Sequence, residues 1–218
     1  MKTKNLNAVV IGGTGVVGRE LILQLAQADH IKEIVSLTRR RVNYDLNKVT
    51  NKVIEFENLD AFKTHFRGDL FFSCLGTTKK IAGSVMAQRR VDLDYQLECA
   101  AQAKQQGVQH CLLVSSSGAN RHSWLAYPKM KGELEYAVKQ LEFARLTILQ
   151  PSLLLGHRDE RRTGEDLAAV VLPLLTKLPG LGKARPISGV EVARRLVAES
   201  RESEPGLTTL TLDQIFVE

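Results

Sequence analysis

The chain has 218 residues, 44% hydrophobic and 25% charged, which is ordinary for a globular protein and excludes a disordered, collagen-like or coiled-coil chain. Lysine and arginine number 30 against 24 acidic residues, a formal charge of +6 that favours anionic partners. Cys74, Cys99 and Cys111 lie in apolar stretches without C-x-x-C spacing, and the five histidines never approach one another or a cysteine at ligand spacing. The thiols therefore read as reduced core residues and no metal is expected. The apolar run Ala8–Ile11 is too short for a signal-peptide core, and Leu167–Leu175, broken by Pro173, is far short of a bilayer span. Together these features predict a cytoplasmic protein that engages no membrane.

Short apolar runs alternate with longer amphipathic ones over the first two thirds of the chain, which predicts an α/β fold with a doubly wound parallel sheet of Rossmann type. The first strand, Ala8–Ile11, runs into Gly12-Gly13-Thr14-Gly15-Val16-Val17-Gly18 and then a helix over Gly15–Ala28 with Leu21, Ile22 and Leu25 on its apolar face. Strand, glycine turn and helix in that order make a dinucleotide site. Gly12 and Gly15 let the backbone approach a pyrophosphate, Gly18 lets the helix close on the strand, and Thr14, Val16 and Val17 complete the loop at the positive helix end.

The second strand, Glu33–Leu37, ends in Thr38-Arg39-Arg40-Arg41, where an NAD site places a ribose-binding carboxylate. A guanidinium from Arg39 or Arg40 suits the 2′-phosphate instead, so NADP is the expected cofactor. A solvated charge run or a nucleic-acid patch is the competing reading of these arginines. Nucleic-acid binding is set aside because aromatic platforms are scarce, at 6% of residues. Tyr44 and Lys48 follow in a polar loop on the adenosine side.

A third strand over Lys52–Phe56, a helix over Asp60–Phe66 and a fourth strand over Leu70–Leu75 come next. Leu75, Gly76 and Thr77 close that fourth strand and are expected to run along the cofactor. A helix over Arg90–Gln106 carries the stripe Val91, Tyr95, Cys99, Ala103 and is stopped by Gly107. The fifth strand, Gln109–Ser115, opens onto Ser116-Ser117-Gly118, and a helix over Tyr127–Leu141 has Pro128 in its first turn. The sixth strand is Arg145–Leu149. After Pro151 glycine, proline and arginine become frequent, with helices over Gly164–Leu178 and Gly189–Ser200, a turn-rich stretch Leu178–Pro186 between them and a last strand over Thr208–Phe216. Residues 1–151 thus form the NADP-binding core, and 152–218 a smaller substrate-side region resting on it.

Tyr127-x-x-x-Lys131 places a phenol and an ammonium one helical turn apart. Carbonyl–alcohol chemistry needs a proton donor, and a nearby cation biases a phenol whose free pKa is about 10. Tyr44 and Lys48 repeat the spacing, but only Tyr127 opens a helix that follows the fifth strand. Ser116, with Ser117 close behind, is the candidate to hydrogen-bond the substrate oxygen, while Lys131 holds the nicotinamide ribose.

Cys74-Leu75-Gly76-Thr77-Thr78, Ala82-Gly83, Arg90-Val91-Asp92, Asp94-Tyr95, Ser115-Ser116-x-Gly118-Ala119, Tyr127-x-x-x-Lys131-Gly132-Glu133, Pro151 and the Arg158–Glu165 segment occur together. This set resembles the Tat-interacting protein family of atypical short-chain dehydrogenases, from about Asn7 to Val197. The resemblance implies a Rossmann-type fold binding NADP(H), with Gly12, Gly15 and Gly18 on the pyrophosphate, Arg39 or Arg40 on the 2′-phosphate, Tyr127 and Lys131 as the proton-transfer pair, and Pro151 starting the segment beside the nicotinamide. Related extended dehydrogenases carry asparagine where this chain has Asp92. Two functions follow as expectations: an NADP-dependent oxidoreductase of a small carbonyl or alcohol, and an NADP(H)-sensing regulator that contacts a protein partner through its C-terminal region.

Overall fold

The structure, a computed structural model, describes residues 5–155 and 185–217. In chain order its strands are β1 (Leu6–Ile11), β2 (Ile31–Thr38), β3 (Val49–Val53), β4 (Leu70–Ser73), β5 (His110–Val114), β6 (Arg145–Gln150), the short β7 (Leu154–Leu155) and β8 (Ile187–Ser188), and β9 (Gly206–Thr211). Seven of them form one sheet in the order β3-β2-β1-β4-β5-β6-β9, every neighbouring pair parallel, while β7 and β8 pair with each other. The central strands β4 and β5 are buried at every position, as their mostly apolar sequences demand in a sheet covered on both faces, with only Ser73 and His110 polar.

The helices are α1 (Val16–Gln27), α2 (Lys79–Ala82), α3 (Val85–Arg89), α4 (Tyr95–Gln105), α5 (Ala126–Lys139) and α6 (Gly189–Glu199). Alternation along each strand divides the core in two. Val9, Ile11, Phe71 and Leu113 face one way and meet Cys99, Ala103, Leu134 and Val138 of α4 and α5. Val10, Phe72 and Leu112 face the other way and meet Leu21, Ile22, Val192 and Leu196 of α1 and α6. Helix α6 starts with a capping box, Ser188 with Glu191, and Gly189 sits so close to α1 that an added Cβ would lie 2.4 Å from the Val16 carbonyl oxygen. The strand order reverses between β1 and β4, so the crevice beyond their carboxyl ends is where an α/β sheet of this kind receives a ligand.

Some element bounds differ from the sequence expectation. The third strand is Val49–Val53 rather than Lys52–Phe56, because Ile54 and Phe56 are buried beside Leu59 and Phe66 after the ladder has closed with the Ile54 N–H on the Thr38 carbonyl. The segment expected at Asp60–Phe66 is a 3₁₀ helix, Leu59–Phe66. Before α4 the chain makes a π-helical segment, Arg90–Asp94, continuous with α3. The last strand stops at Thr211, where a capping box with Gln214 and the positive φ of Leu212 start a 3₁₀ turn. The helix expected over Gly164–Leu178, the Arg158–Glu165 segment and all of the turn-rich stretch but Arg185 and Pro186 lie outside the described residues.

Candidate dinucleotide and proton-transfer site

Immediately after β1 the chain turns through Gly12 at φ +79°, closed by a 2.9 Å hydrogen bond from the Gly15 N–H to the Gly12 carbonyl. A Cβ on Gly12 would lie 2.4 Å from the Cys74 carbonyl carbon and oxygen, and one on Gly18 would lie 2.2 Å from the Gly12 oxygen. Backbone of β1, β4 and α1 therefore meets at van der Waals distance only because these positions lack a side chain. Thr14 and Gly15 are exposed, Gly15 is the N-cap, and α1 has no acidic residue in its first turn. The first-turn amides of Val16, Val17 and Gly18 have no intrahelical acceptor, so the loop presents donors and partial positive charge to a phosphate. Val17 contributes through its backbone alone, since its side chain is buried against α6 and the sheet. This cradle fits the pyrophosphate of a dinucleotide. Beneath it, the Tyr44 hydroxyl shares a 2.9 Å hydrogen bond with Ser36 and both press on Gly13.

The β1–β2 register pairs Ile11 with Leu37, which sets Gly12 level with Thr38 and the arginine bend just beyond. Asn51 of β3 shapes that bend. Its amide donates to the Ser36 carbonyl and the Thr38 hydroxyl at 3.0 and 2.8 Å, and its carbonyl accepts the Val42 N–H at 2.9 Å, while the Thr38 hydroxyl donates to the Arg40 carbonyl at 2.7 Å. Arg39, Arg40 and Arg41 are all exposed. Asn51 was not among the expected site residues, and the strand expected at Lys52–Phe56 began just after it, so its place in β3 was not visible in the sequence.

At the end of β5 the three serines separate. Ser115 is buried, its hydroxyl on Glu135, which also accepts the Gln150 amide at 2.9 and 3.1 Å. Ser116 is half-buried and Ser117 exposed, with the Ser117 N–H on the carbonyl of buried Pro151 at 2.8 Å. The following loop crosses α5 at Gly132, where a Cβ would lie 2.1 Å from the Arg121 nitrogen, and its Asn120 N–H bonds the Pro128 carbonyl at 2.9 Å. That crossing holds the serine loop beside the first turns of α5, which carry Tyr127, 39% exposed, and Lys131, 2% exposed. His122 is exposed and accepts from Arg121 on this loop, and His157 lies outside the described residues.

The Lys131 ammonium stands 3.6 Å from the Asp92 carboxylate and donates to the Val114 carbonyl at 3.5 Å. Burial lowers its pKa and the Asp92 charge opposes that shift. Asp92 in turn accepts the Thr77 N–H at 3.1 Å. Leu75 is half-buried and Gly76 exposed, and a Cβ on Gly76 would meet only Asp92, at 3.6 Å, so the rim above this run is open. Burial pushes the Cys74 thiol up to about 12, with Lys131 opposing. The residues expected to hold the nucleotide (Gly12 to Gly18, Arg39, Arg40, Leu75 to Thr77) and the other expected site residues (Ser116, Tyr127, Lys131, Pro151) are linked by Asp92, which contacts Thr77 in the first half and Lys131 in the second. Among the described residues there is no cluster of metal-ligating side chains and no helix long and apolar enough to cross a membrane.

A family described as NAD(P)H-binding matches residues 12–177. The rat protein HTATIP2 is 35% identical over 200 residues, covering 90% of this chain and 81% of its own. The chain belongs to the Tat-interacting protein family of atypical short-chain dehydrogenases. Fungal relatives have similar identity to this member, among them FMP52 of Eremothecium gossypii, 34% over 198 residues and 88% of each chain. The FMP52 proteins are named mitochondrial, which overturns the cytoplasmic placement. That placement rested on reduced thiols and the lack of a signal-peptide core, and neither property distinguishes one reducing aqueous compartment from another. Among solved structures, MoeE5 in complex with UDP-glucose and NAD has a TM-score of 0.72 at 14% identity, covering 94% of this chain and 75% of that one. UDP-glucose 4-epimerase from Bifidobacterium longum, in complex with NAD+ and UDP, has 0.72 at 12%, covering 94% and 77%. These likenesses establish the family's Rossmann-type fold in this chain.

Proposed function

We propose that this protein is an NADP-dependent oxidoreductase that interconverts a small carbonyl compound and its alcohol. The observation that carries the cofactor choice is the register of β1 and β2, which sets the Thr38-Arg39-Arg40 bend level with Gly12 while residues 38–44 contain no carboxylate. A ribose hydroxyl pair would lack its usual acceptor there, whereas a 2′-phosphate would meet guanidinium with charge-assisted hydrogen bonds. When bound, the nicotinamide ring exchanges a hydride with the substrate carbon. The amides after Gly12 would hold the pyrophosphate, and the chain from Leu75 to Thr77 would border the dinucleotide. Ser116, or Ser117 beside it, donates a hydrogen bond to the substrate oxygen, and the Tyr127 hydroxyl gives that oxygen a proton in reduction or takes one in oxidation. Lys131 offers its ammonium to the nicotinamide ribose and biases the phenol toward ionisation. Pro151, whose carbonyl accepts the Ser117 N–H, leads from the end of β6 toward the substrate side.

Isothermal titration with NADP+ and NAD+ tests the cofactor assignment. Wild-type protein should prefer NADP+ at least tenfold, and the double variant Arg39→Ala/Arg40→Ala should lose that preference while keeping its NAD+ affinity; equal binding of both by the wild type would remove the assignment. A screen of aldehydes and ketones for NADPH oxidation tests the reaction. Tight NADPH binding with no turnover on any of them would replace the enzyme by an NADP(H)-sensing regulator.

A further inference from the structure

Asp92 touches both halves of the site. It sits in the π-helical segment Arg90–Asp94 and is 1% exposed, and π segments recur where a helix has been adapted to a functional role. One oxygen accepts the Thr77 N–H at 3.1 Å and the other stands 3.6 Å from the Lys131 ammonium. Its backbone is fixed as well, because the Gln96 amide donates to the Asp92 carbonyl at 2.9 Å and itself accepts the Ser73 hydroxyl at 2.8 Å. Asp92 is thereby tied to β4 and to the run that follows it.

Lys131 needs such a partner. Its ammonium is buried, and the Val114 carbonyl, at 3.5 Å, replaces little of the lost hydration. The titratable groups around it are Asp92 from the π segment, the Cys74 thiol after β4, and Tyr127 and Glu135 one turn either side on α5. Glu135 is occupied by Ser115 and Gln150. Cys74 is a neutral thiol at ordinary pH. Asp92 is the carboxylate in ion-pair distance.

We propose that Asp92 is a positioning residue: its carboxylate holds the Lys131 ammonium charged and in place at the end of β5, and couples it to the Leu75–Thr77 run that borders the dinucleotide. The role rests on the reading of Lys131 given under Proposed function, while the ion pair itself does not. Asp92→Asn keeps size and a carbonyl for the Thr77 N–H but removes the charge. The Lys131 ammonium is then buried without its counter-ion, so its titration moves down in pH.

Two measurements on the full chain test this. Titration of the Lys131 side chain by NMR in protein labelled with ¹³C-lysine, without cofactor, should show the midpoint of Asp92→Asn at least one pH unit below wild type, with recovery in Asp92→Glu; an unchanged midpoint overturns the proposal. NADPH titration by fluorescence should then show Asp92→Asn matching wild type below its own Lys131 midpoint and at least tenfold weaker above it. A pH-independent loss would mark a merely structural role and overturn the proposal. If wild-type protein binds no NADPH at all, the functional reading falls while the NMR titration still decides the ion pair. Should Asp92→Asn fail to fold, Asp92→Asn/Lys131→Met, which removes both charges, is expected to fold; its failure as well overturns the counter-ion role.

Discussion

Gly12→Ala loads the point where β1, α1 and β4 meet, and the structure separates its two costs. The first is backbone: φ is +79°, a region that costs an L side chain about 1–2 kcal/mol. The second is volume: the new methyl would stand 2.4 Å from the Cys74 carbonyl and 2.6 Å from the Leu75 nitrogen, about 1 Å inside ordinary contact. Relief requires the ends of β1 and β4 to part, at the roughly 1–3 kcal/mol typical of overpacking. Gly83→Ala is the matched control, since Gly83 has φ +87° with nothing within 4 Å of the added methyl and so bears the backbone cost alone. Urea unfolding of the two variants should place Gly12→Ala about 1–3 kcal/mol below Gly83→Ala, a large share of a typical domain stability. NADPH affinity should fall at least tenfold in Gly12→Ala and hold in Gly83→Ala. Equal stability in the two variants, or wild-type NADPH binding by Gly12→Ala, would refute the close backbone approach on which the cradle depends.

Three further outcomes are expected. Tyr127→Phe should bind NADPH as wild type does and lose at least a hundredfold in kcat on any carbonyl the wild type reduces; full turnover would remove Tyr127 from the proton step. His110 is held neutral, its pKa lowered to about 4 by burial first and the Arg145 charge second. The unfolded chain therefore binds a proton near pH 6.5 that the folded chain refuses, so the contribution is intact above pH 6.5 and drains away down to pH 4, by up to about 3 kcal/mol. Urea midpoints across that range should fall steeply in wild type and less in His110→Gln. Cys74, Cys99 and Cys111 all have pKa values pushed up by burial, so iodoacetamide at pH 8 should leave the native protein unmodified and label three thiols after denaturation.

Sequence reading reached the strand–glycine loop–helix unit because it is local: Gly12, Gly15, Gly18 and the apolar face of α1 lie within one stretch whose spacing reports its geometry. Tyr127 and Lys131 were legible for the same reason, being one turn apart on α5. The third strand was misplaced because Ile54 and Phe56 alternate like a strand, and alternation reports burial on one side without reporting a ladder partner. Nothing in Arg90–Asp94 distinguishes a π turn from the α-helix on either side, since the difference lies in which carbonyl each N–H reaches. The Asp92–Lys131 pair and the Asn51 bridge across the arginine bend were equally hidden, because the first joins two packed helical segments distant in sequence and the second reaches across from a neighbouring strand.

An all-parallel sheet has two unlike rims. Every described residue proposed for cofactor binding or proton transfer lies at or beyond the strands' carboxyl ends. The opposite rim holds His30 with Ser200, Asp29 with Arg201, His110 with Thr147 and Arg145 with Glu199. Evolution can therefore retailor one edge of this molecule for new chemistry while the other goes on as its foundation. In a library of single variants, changes at that foundation should alter how much protein accumulates, and changes at the working edge should alter what it binds.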